Sequence, residues 1–325
     1  MFNKIISLII LIMSVFIWQY NAVGSNKKVK VYISQLVEHP ALNATTRGII
    51  QGLADAGYNE ESNLDLIIES AQGNASLANQ IANKLISKDP DVIVGVATIA
   101  AQSFSKYTRS GNAKLIFSSV TDPVDAGLVA SIEKPGYNTS GVSNFVPLEP
   151  QLEMFLKIKP TIKKLGFLYN PGELNSISLI NKLKRICPNY GIELVTVSAG
   201  KTSEVSQSAA KLASLVDAIF VSNDNTALSA FKTIIKAANN ATIPVFVSDT
   251  DIVKDGAVAA LGPDQYNLGL QTAKMIVKVL EGNEIGEIPV EYPEKVGLYL
   301  NPKAAEKIGI KIPTELLEST SYLIG

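Results

Sequence analysis

Few side chains in this chain of 325 residues could carry bond chemistry, and they are thinly spread. His39 is the sole histidine and Cys187 the sole cysteine. Neither a multi-histidine metal site nor an internal disulfide can form from such an inventory. Carboxylates do occur in pairs, Asp122 with Asp125 and Asp249 with Asp251, and an exported hydrolase could use such a pair in acid–base work. Aspartates at these places serve equally as helix caps or turn formers. Gly-x-Ser-x-Gly is absent, and no Gly-x-x-x-x-Gly-Lys-Ser/Thr or Gly-x-Gly-x-x-Gly pattern follows a strand, so nucleophile elbows and phosphate cradles are unsupported. His39 is followed by Pro40, a residue suited to a first helical turn, and reads as a structural or ligand-wall residue rather than a general base.

Binding groups are better represented. Apolar segments repeatedly run into short polar ones that open a helix, as at Val96-Ala97-Thr98, Ser119-Val120-Thr121-Asp122-Pro123, Tyr169-Asn170-Pro171, Val221-Ser222-Asn223-Asp224 and Val247-Ser248-Asp249. In open parallel sheets the ligand sits beyond the carboxyl ends of the strands, where such junctions gather. Helix N-termini favour an anion, and Thr98, Asn175, Ser176 and Thr226 stand where first turns should begin. That matters because the chain has only Arg47, Arg109 and Arg185 as arginines, all inside or at the far end of predicted helices. The acidic strand ends Asp122, Asp224 and Asp249 could hold an ammonium group. Donors on one side and carboxylates on the other suit a zwitterion. Phe145, Tyr169 and Tyr266 could flank an apolar ligand or a sugar face, or simply pack.

The elements that must position these groups alternate along the chain. Residues 29–34, 64–69, 92–96 and 115–118 read as strands, with helices over 41–56, 76–88 and 99–108. A second half repeats the plan, with strands at 164–169, 193–197, 218–221 and 245–247 and helices over 174–190, 203–215 and 226–238. Short apolar runs between longer stretches of helical period indicate βαβ units with parallel strands. The fold class is therefore α/β: two doubly wound parallel-sheet lobes with a hinge. Residues 141–147 carry no helix signal and read as a crossing between lobes. A strand at 257–261 and a helix over 267–280 have too little core to stand alone, so both are expected to return to the first lobe. The N-terminal lobe is then 28–143 plus 250–283, and the C-terminal lobe 144–249 plus 284–325.

Twenty-nine basic residues against thirty acidic ones leave no positive excess, and nucleic acid is a poor partner. Lys4, an apolar run over residues 5–18 and the small residues Ala22-Val23-Gly24 together read as a secretory signal peptide over 1–24. The run is about 14 residues, short of the roughly 20 that span a bilayer. Cys187 lies far from that cleavage region, so it cannot carry a lipoprotein lipid. An exported, unlipidated chain of this kind suits a periplasm.

Several stretches resemble a known family along nearly the whole mature chain. They include Val37-Glu38-His39-Pro40-Ala41-Leu42, Ala97-Thr98-Ile99-Ala100-Ala101-Gln102, Val120-Thr121-Asp122-Pro123-Val124, Tyr169-Asn170-Pro171-Gly172-Glu173-Leu174-Asn175-Ser176 and Asp224-Asn225-Thr226. The family is that of the ABC-transporter substrate-binding proteins, whose members include tryptophan- and phenylalanine-binding receptors. The resemblance implies a type I periplasmic-binding-protein fold with three crossings and a closing cleft. It implies a monomeric, non-enzymatic receptor without cofactor, which hands a small amino acid, aromatic by precedent, to a membrane permease driven by a separate ATPase. A sugar or nucleoside receptor is the alternative in the same class. The ligand set carried over is Glu38, Thr98, Gln102, Thr121, Asp122, Asn144, Tyr169, Glu173, Asn175, Ser176, Asp224, Asn225 and Asp249. Within it, the α-carboxylate is expected near Thr98, Asn175 and Ser176, and the ammonium near Asp122 or Asp224. Ile99 departs from the proline that the family often has after the threonine, a position where other residues also start a helix.

Overall fold

A computed structural model describes residues 28–324; the expected signal peptide, 1–24, lies outside them. The first lobe begins with β1 (Val29–Gln35), α1 (Pro40–Asp55), β2 (Leu64–Ser70), α2 (Ala75–Ile86) and β3 (Val92–Val96). It continues with α3 (Thr98–Gln102), α4 (Ser105–Ser110), β4 (Leu115–Val120) and β5 (Thr139–Ser143). These strands form one sheet in the order β2-β1-β3-β4-β5, parallel throughout. Every residue of β3 and β4 is buried, as expected of parallel strands covered on both faces. The single helix expected over 99–108 is instead two short ones. The Ser103 hydroxyl donates to the Ala100 carbonyl at 2.6 Å, and Phe104 turns fully into the core, a local side-chain bond that competes with helix continuation.

The second lobe holds α5 (Leu148–Ile158), β6 (Lys164–Tyr169), α6 (Leu174–Ile186), β7 (Glu193–Ser198), α7 (Val205–Ala213), β8 (Ala218–Val221), α8 (Asn225–Ser229), α9 (Phe231–Asn240) and β9 (Val245–Val247). After a 3-10 segment, Thr250–Asp255, come β10 (Ala259–Gly262), α10 (Gln265–Leu280), β11 (Gly297–Leu300), α11 (Pro302–Lys307), α12 (Thr314–Ser319) and β12 (Tyr322–Leu323). The second sheet runs β12-β11-β10-β9-β8-β6-β7, and β10 with β11 is its antiparallel pair. Phe155 of α5 stacks on Phe246 of β9 with centroids 4.3 Å apart and tilts against Phe220 of β8 at 5.0 Å. Truncating Phe155 to alanine would cost roughly 3–5 kcal/mol.

Two further expectations are corrected. No helix was expected between 147 and 163, yet α5 is there: Pro147 caps it, Pro150 lies in its first turn, where proline is tolerated, and Leu152, Phe155 and Ile158 face the core. The strand expected at 257–261 does not return to the first lobe. It is β10, hydrogen-bonded to β9 and β11 in the second sheet, because the intervening segment is just long enough for a crossover back into the same sheet. Helix α10 returns, packing against α1 in the first lobe, and the segment after it stays there: Ile285 and Val290, expected in the second lobe, join the first-lobe core.

That helix contact is unusually close. A Cβ on Gly48 would lie 2.1 Å from the Tyr266 carbonyl, and one on Gly269 would lie 2.1 Å from the Thr45 carbonyl. Glycines there let the start of α10 settle onto α1. The chain passes between lobes at 144–147, 263–264 and 281–296. The first and third passages run side by side, with Ser143 N–H donating to the Glu291 carbonyl and Glu291 N–H to the Gly141 carbonyl. Paired crossings of this kind make a hinge rather than a loose tether.

Candidate functional site

The carboxyl ends of β3, β4 and β8 converge between the lobes, and the backbone there is strained. Ala97 has φ 78 and ψ 158, a region that glycine otherwise occupies almost alone. Ser119 at φ 55 and Asn223 at φ 42 also take left-handed geometry. These turns aim polar groups into one interlobe cavity, with His39, Thr98 and Thr121 supplied by the first lobe and Asn175, Asn223 and Asp249 by the second. The space left between the lining side chains is about 10 Å³, roughly one water.

Two atoms on this cavity stand out. The hydroxyl of Thr98 and the side-chain oxygen Oδ1 of Asn175 are buried and make no hydrogen bond within the protein. Buried polar groups are normally satisfied, and each unsatisfied one costs about 1–3 kcal/mol. The orientation of the Asn175 amide is fixed by its other end. Nδ2 donates to the Asn223 carbonyl at 2.7 Å and to Glu173 at 3.1 Å, so Oδ1 is left as an acceptor toward the cavity.

Asp249, at the end of β9, is 2% exposed and faces the same space. Burial, and then the charge of Asp251, push its carboxyl up to about 7. Its Oδ1 accepts from Gln265 Nε2 at 2.6 Å. Gln265 belongs to the first turn of α10, and its own Oε1 accepts from the hydroxyls of Thr45 and Ser119, each at 3.1 Å.

The lobes are joined by further bonds around the cavity. Asn223 Nδ2 reaches Thr121 at 3.2 Å and the Asn144 amide oxygen at 3.4 Å. His39 Nε2 lies 3.2 Å from Asn225 Oδ1, while its Nδ1 caps α1 by accepting from Leu42 N–H. With Nδ1 accepting, Nε2 carries the proton and donates to Asn225. Burial lowers the His39 pKa to about 4, so the ring is neutral. Farther out, Asp122 of the first lobe pairs with Lys182 of α6 at 2.7 Å. Burial works to raise the Asp122 carboxyl, but the Lys182 bond, the Asp125 N–H and Ser178 leave it below its ordinary value.

Of the residues expected at the ligand, Thr98, Thr121, Asn144, Asn175, Asn225 and Asp249 line the cavity. The others do not. Glu173 turns inward and caps α8, its two oxygens accepting from the N–H groups and side chains of Asn225 and Thr226. Asp224 also caps α8, accepting from Ala227 N–H, from Asn170 N–H and from the Ser176 hydroxyl at 2.6 Å. Burial, with the Glu173 charge behind it, raises the Asp224 carboxyl. Ser176 is thereby spent on Asp224, and Asp122 is spent on the Lys182 bridge. Gln102 Nε2 ties α3 to the Ala126 carbonyl, Tyr169 packs against the second-lobe core, and Glu38 is exposed outside the cavity. Sequence reasoning missed Ser119, Asn223 and Gln265. The first two lie in recognised junctions, but Gln265 follows Pro263-Asp264, which reads only as a helix start.

Among the described residues, no cluster of three or more His, Cys, Asp or Glu side chains could hold a metal ion, and no helix is long and apolar enough to cross a membrane. Two α/β lobes, a hinge and a cavity lined by hydroxyls, amides and one carboxylate define a solute-binding protein of the type I periplasmic-binding-protein fold. The chain belongs to the ABC transporter substrate binding protein family, whose model matches residues 30–323. It is 35% identical over 277 residues to the tyrosine-binding protein of Clostridioides difficile, covering 85% of this chain and 80% of that one. A Streptococcus pneumoniae ABC domain in complex with L-Trp is 32% identical, with a TM-score of 0.88 over 92% of this chain and all of that one. A ligand-free, open substrate-binding protein with adhesive properties from Clostridium difficile is also 32% identical. Its TM-score is 0.68, over 91% of this chain and 99% of that one. In this chain the lobes stand together, held by the bonds described above.

Proposed function

We propose that this chain is the exported receptor of an ABC importer and closes its lobes on a single amino acid, aromatic in preference. Two unpartnered buried atoms facing one cavity from opposite lobes, Thr98 Oγ1 and Asn175 Oδ1, carry this reading. A zwitterion supplies what each lacks. Its ammonium donates to Asn175 Oδ1 and to Asp249, and its carboxylate accepts from the Thr98 hydroxyl and the amides and hydroxyls beside it. This exchanges the expected ammonium partners, Asp122 and Asp224, for Asp249, because those two carboxylates are already engaged elsewhere.

Ala41, Leu42 and Leu228 form the apolar part of the cavity wall, suited to a side chain without charge. Relatives that bind tyrosine and tryptophan by name support an aromatic one. Space for about one water is too small for an amino acid, so the lobes stand further apart to admit the ligand and remain less tightly closed when they hold it. The receptor acts as a monomer in the periplasm after its leader is removed, and passes its ligand to a permease with a separate ATPase.

A thermal-shift screen of the twenty amino acids, with sugars and nucleosides as competitors, tests this. At ligand a hundredfold above Kd, linkage gives about 2.7 kcal/mol of stabilisation. Stabilisation by tryptophan, tyrosine or phenylalanine is expected. A folded, ligand-stripped protein that responds to no amino acid would overturn the proposal, and a response to sugars alone would reassign it within the binding class.

A further inference from the structure

Gln265 touches both lobes at once. Its Nε2 donates to Asp249 Oδ1 in the second lobe at 2.6 Å, and its Oε1 accepts from Thr45 Oγ1 and Ser119 Oγ in the first, each at 3.1 Å. The side chain is 1% exposed, and it lies directly after the second crossing, on the first turn of α10. We propose that Gln265 is a positioning residue for amino-acid recognition: it holds the Asp249 carboxylate toward the ligand ammonium only when the lobes are closed, and so couples recognition to closure.

The orientation of the amide follows from its surroundings. Turning it over would set its oxygen against the Asp249 carboxylate, whereas hydroxyls accept either end of an amide. The carboxylate therefore accepts from the N–H, and the amide oxygen accepts from the hydroxyls. The Thr45 hydroxyl has one proton, which it gives either to Gln265 Oε1 at 3.1 Å or to the Ala41 carbonyl at 3.2 Å. The glycine contact between α1 and α10, Gly48 against Gly269, brings Gln265 within reach of Thr45. The Gln265 backbone N–H also donates to Asp251 at 3.2 Å, so on the proposed coupling it is the side-chain amide, held by Thr45 and Ser119 of the first lobe, that leaves Asp249 when the lobes part. A buried carboxylate that is oriented only in the closed form favours the ligand there, and such differential contact is what ties binding to a conformational change.

The inference rests on the proposed amino-acid site, and a double-mutant cycle separates the two. Amino-acid Kd values are measured by calorimetry for the wild type, Gln265→Leu, Asp249→Asn and the double variant, with ligand-free melting temperatures alongside. Gln265→Leu should raise Kd roughly ten- to a hundredfold, the range for a hydrogen bond to a charged group. In the Asp249→Asn background the same change should alter Kd less than about threefold, since the carboxylate it serves is gone. An equal loss in both backgrounds, or no loss in the first, overturns the inference. A wild type that binds no amino acid instead defeats the proposed function. Should Gln265→Leu fail to fold, Ser119→Ala combined with Thr45→Val loosens the same amide. Its loss should likewise vanish in the Asp249→Asn background, and persistence there overturns the inference.

Discussion

His39 and Asn225 meet across the cleft, the ring Nε2 of the first lobe 3.2 Å from the amide oxygen of the second. The same histidine caps α1 through Nδ1 and is 4% exposed. One neutral imidazole therefore serves a helix end and the closed arrangement at once. A second proton has no acceptor to face, because Nδ1 already receives the Leu42 N–H.

This gives a pH dependence with a definite sign. Burial lowers the His39 pKa from 6.5 to about 4, so the folded protein holds that proton less tightly than the unfolded chain. Its contribution is intact above about pH 6.5 and is lost as pH falls toward 4, on the order of 3 kcal/mol. Asp249, raised to about 7 by burial and Asp251, works in the opposite direction, gaining stability as pH falls. The effect is therefore read as a difference between wild type and His39→Gln in thermal melts across this range. Wild type should lose more on acidification than the variant; parallel curves would show that the ring is not titrating as its burial requires.

Asp224→Ala should damage folding rather than binding. The carboxylate caps α8 through the Ala227 N–H and secures Asn170 and Ser176, and it is fully buried. Loss of a cap with its buried partners is worth about 2 kcal/mol, which a melting experiment would register clearly. Amino-acid Kd should stay within about threefold of wild type. A large rise in Kd with an unchanged melting temperature would return Asp224 to the ligand.

The sequence made the strands and their polar ends plain, because fully apolar runs such as Val92 to Val96 stop at sharp turns. It did not show which sheet a strand joins, since β10 carries the same apolar signal wherever it pairs. The site divides along similar lines. That Glu173, Ser176 and Asp224 stand at the starts of two helices was legible, but the side-chain directions that draw them together at α8 rather than to a ligand depend on tertiary contacts. Gln265 was invisible for another reason: a glutamine is common in a first turn, and its three partners come from Thr45, Ser119 and Asp249, far apart in the chain.

The bridge between Asp122 and Lys182 joins the lobes at 2.7 Å with Ser178 bonded to Asp122 and Asp125. Both charged side chains keep partial exposure, so the pair is worth at most about 1 kcal/mol and is screened by salt. Lys182→Met should raise amino-acid Kd by about three- to fivefold at low ionic strength, and the gap should close in high salt. Ligand-free melting should hardly move. The Asp122 pKa lies below its ordinary value, so the bridge persists at neutral pH and is lost only as pH falls through that depressed value. Calorimetry at two salt concentrations checks this, and a Kd unaffected at either would show that closure does not use the bridge.

Thr98→Val should move stability and binding in opposite directions. The Thr98 hydroxyl is buried with no partner inside the protein, so the ligand-free fold carries a cost that a methyl group of similar size removes. An unsatisfied buried hydroxyl costs about 1–3 kcal/mol, and the variant should therefore melt higher by an amount equivalent to about 1 kcal/mol. The same hydroxyl is the proposed donor to the ligand carboxylate, and its loss should raise Kd about tenfold or more, the usual worth of a hydrogen bond to a charged group. Asn175 is a poorer choice for this test, because its amide nitrogen also secures the Asn223 carbonyl and Glu173, and truncation would confuse the two effects. A Thr98→Val protein that melts lower and binds as before would mark the hydroxyl as packing. One that melts higher and binds worse would show stability given up for recognition at this atom.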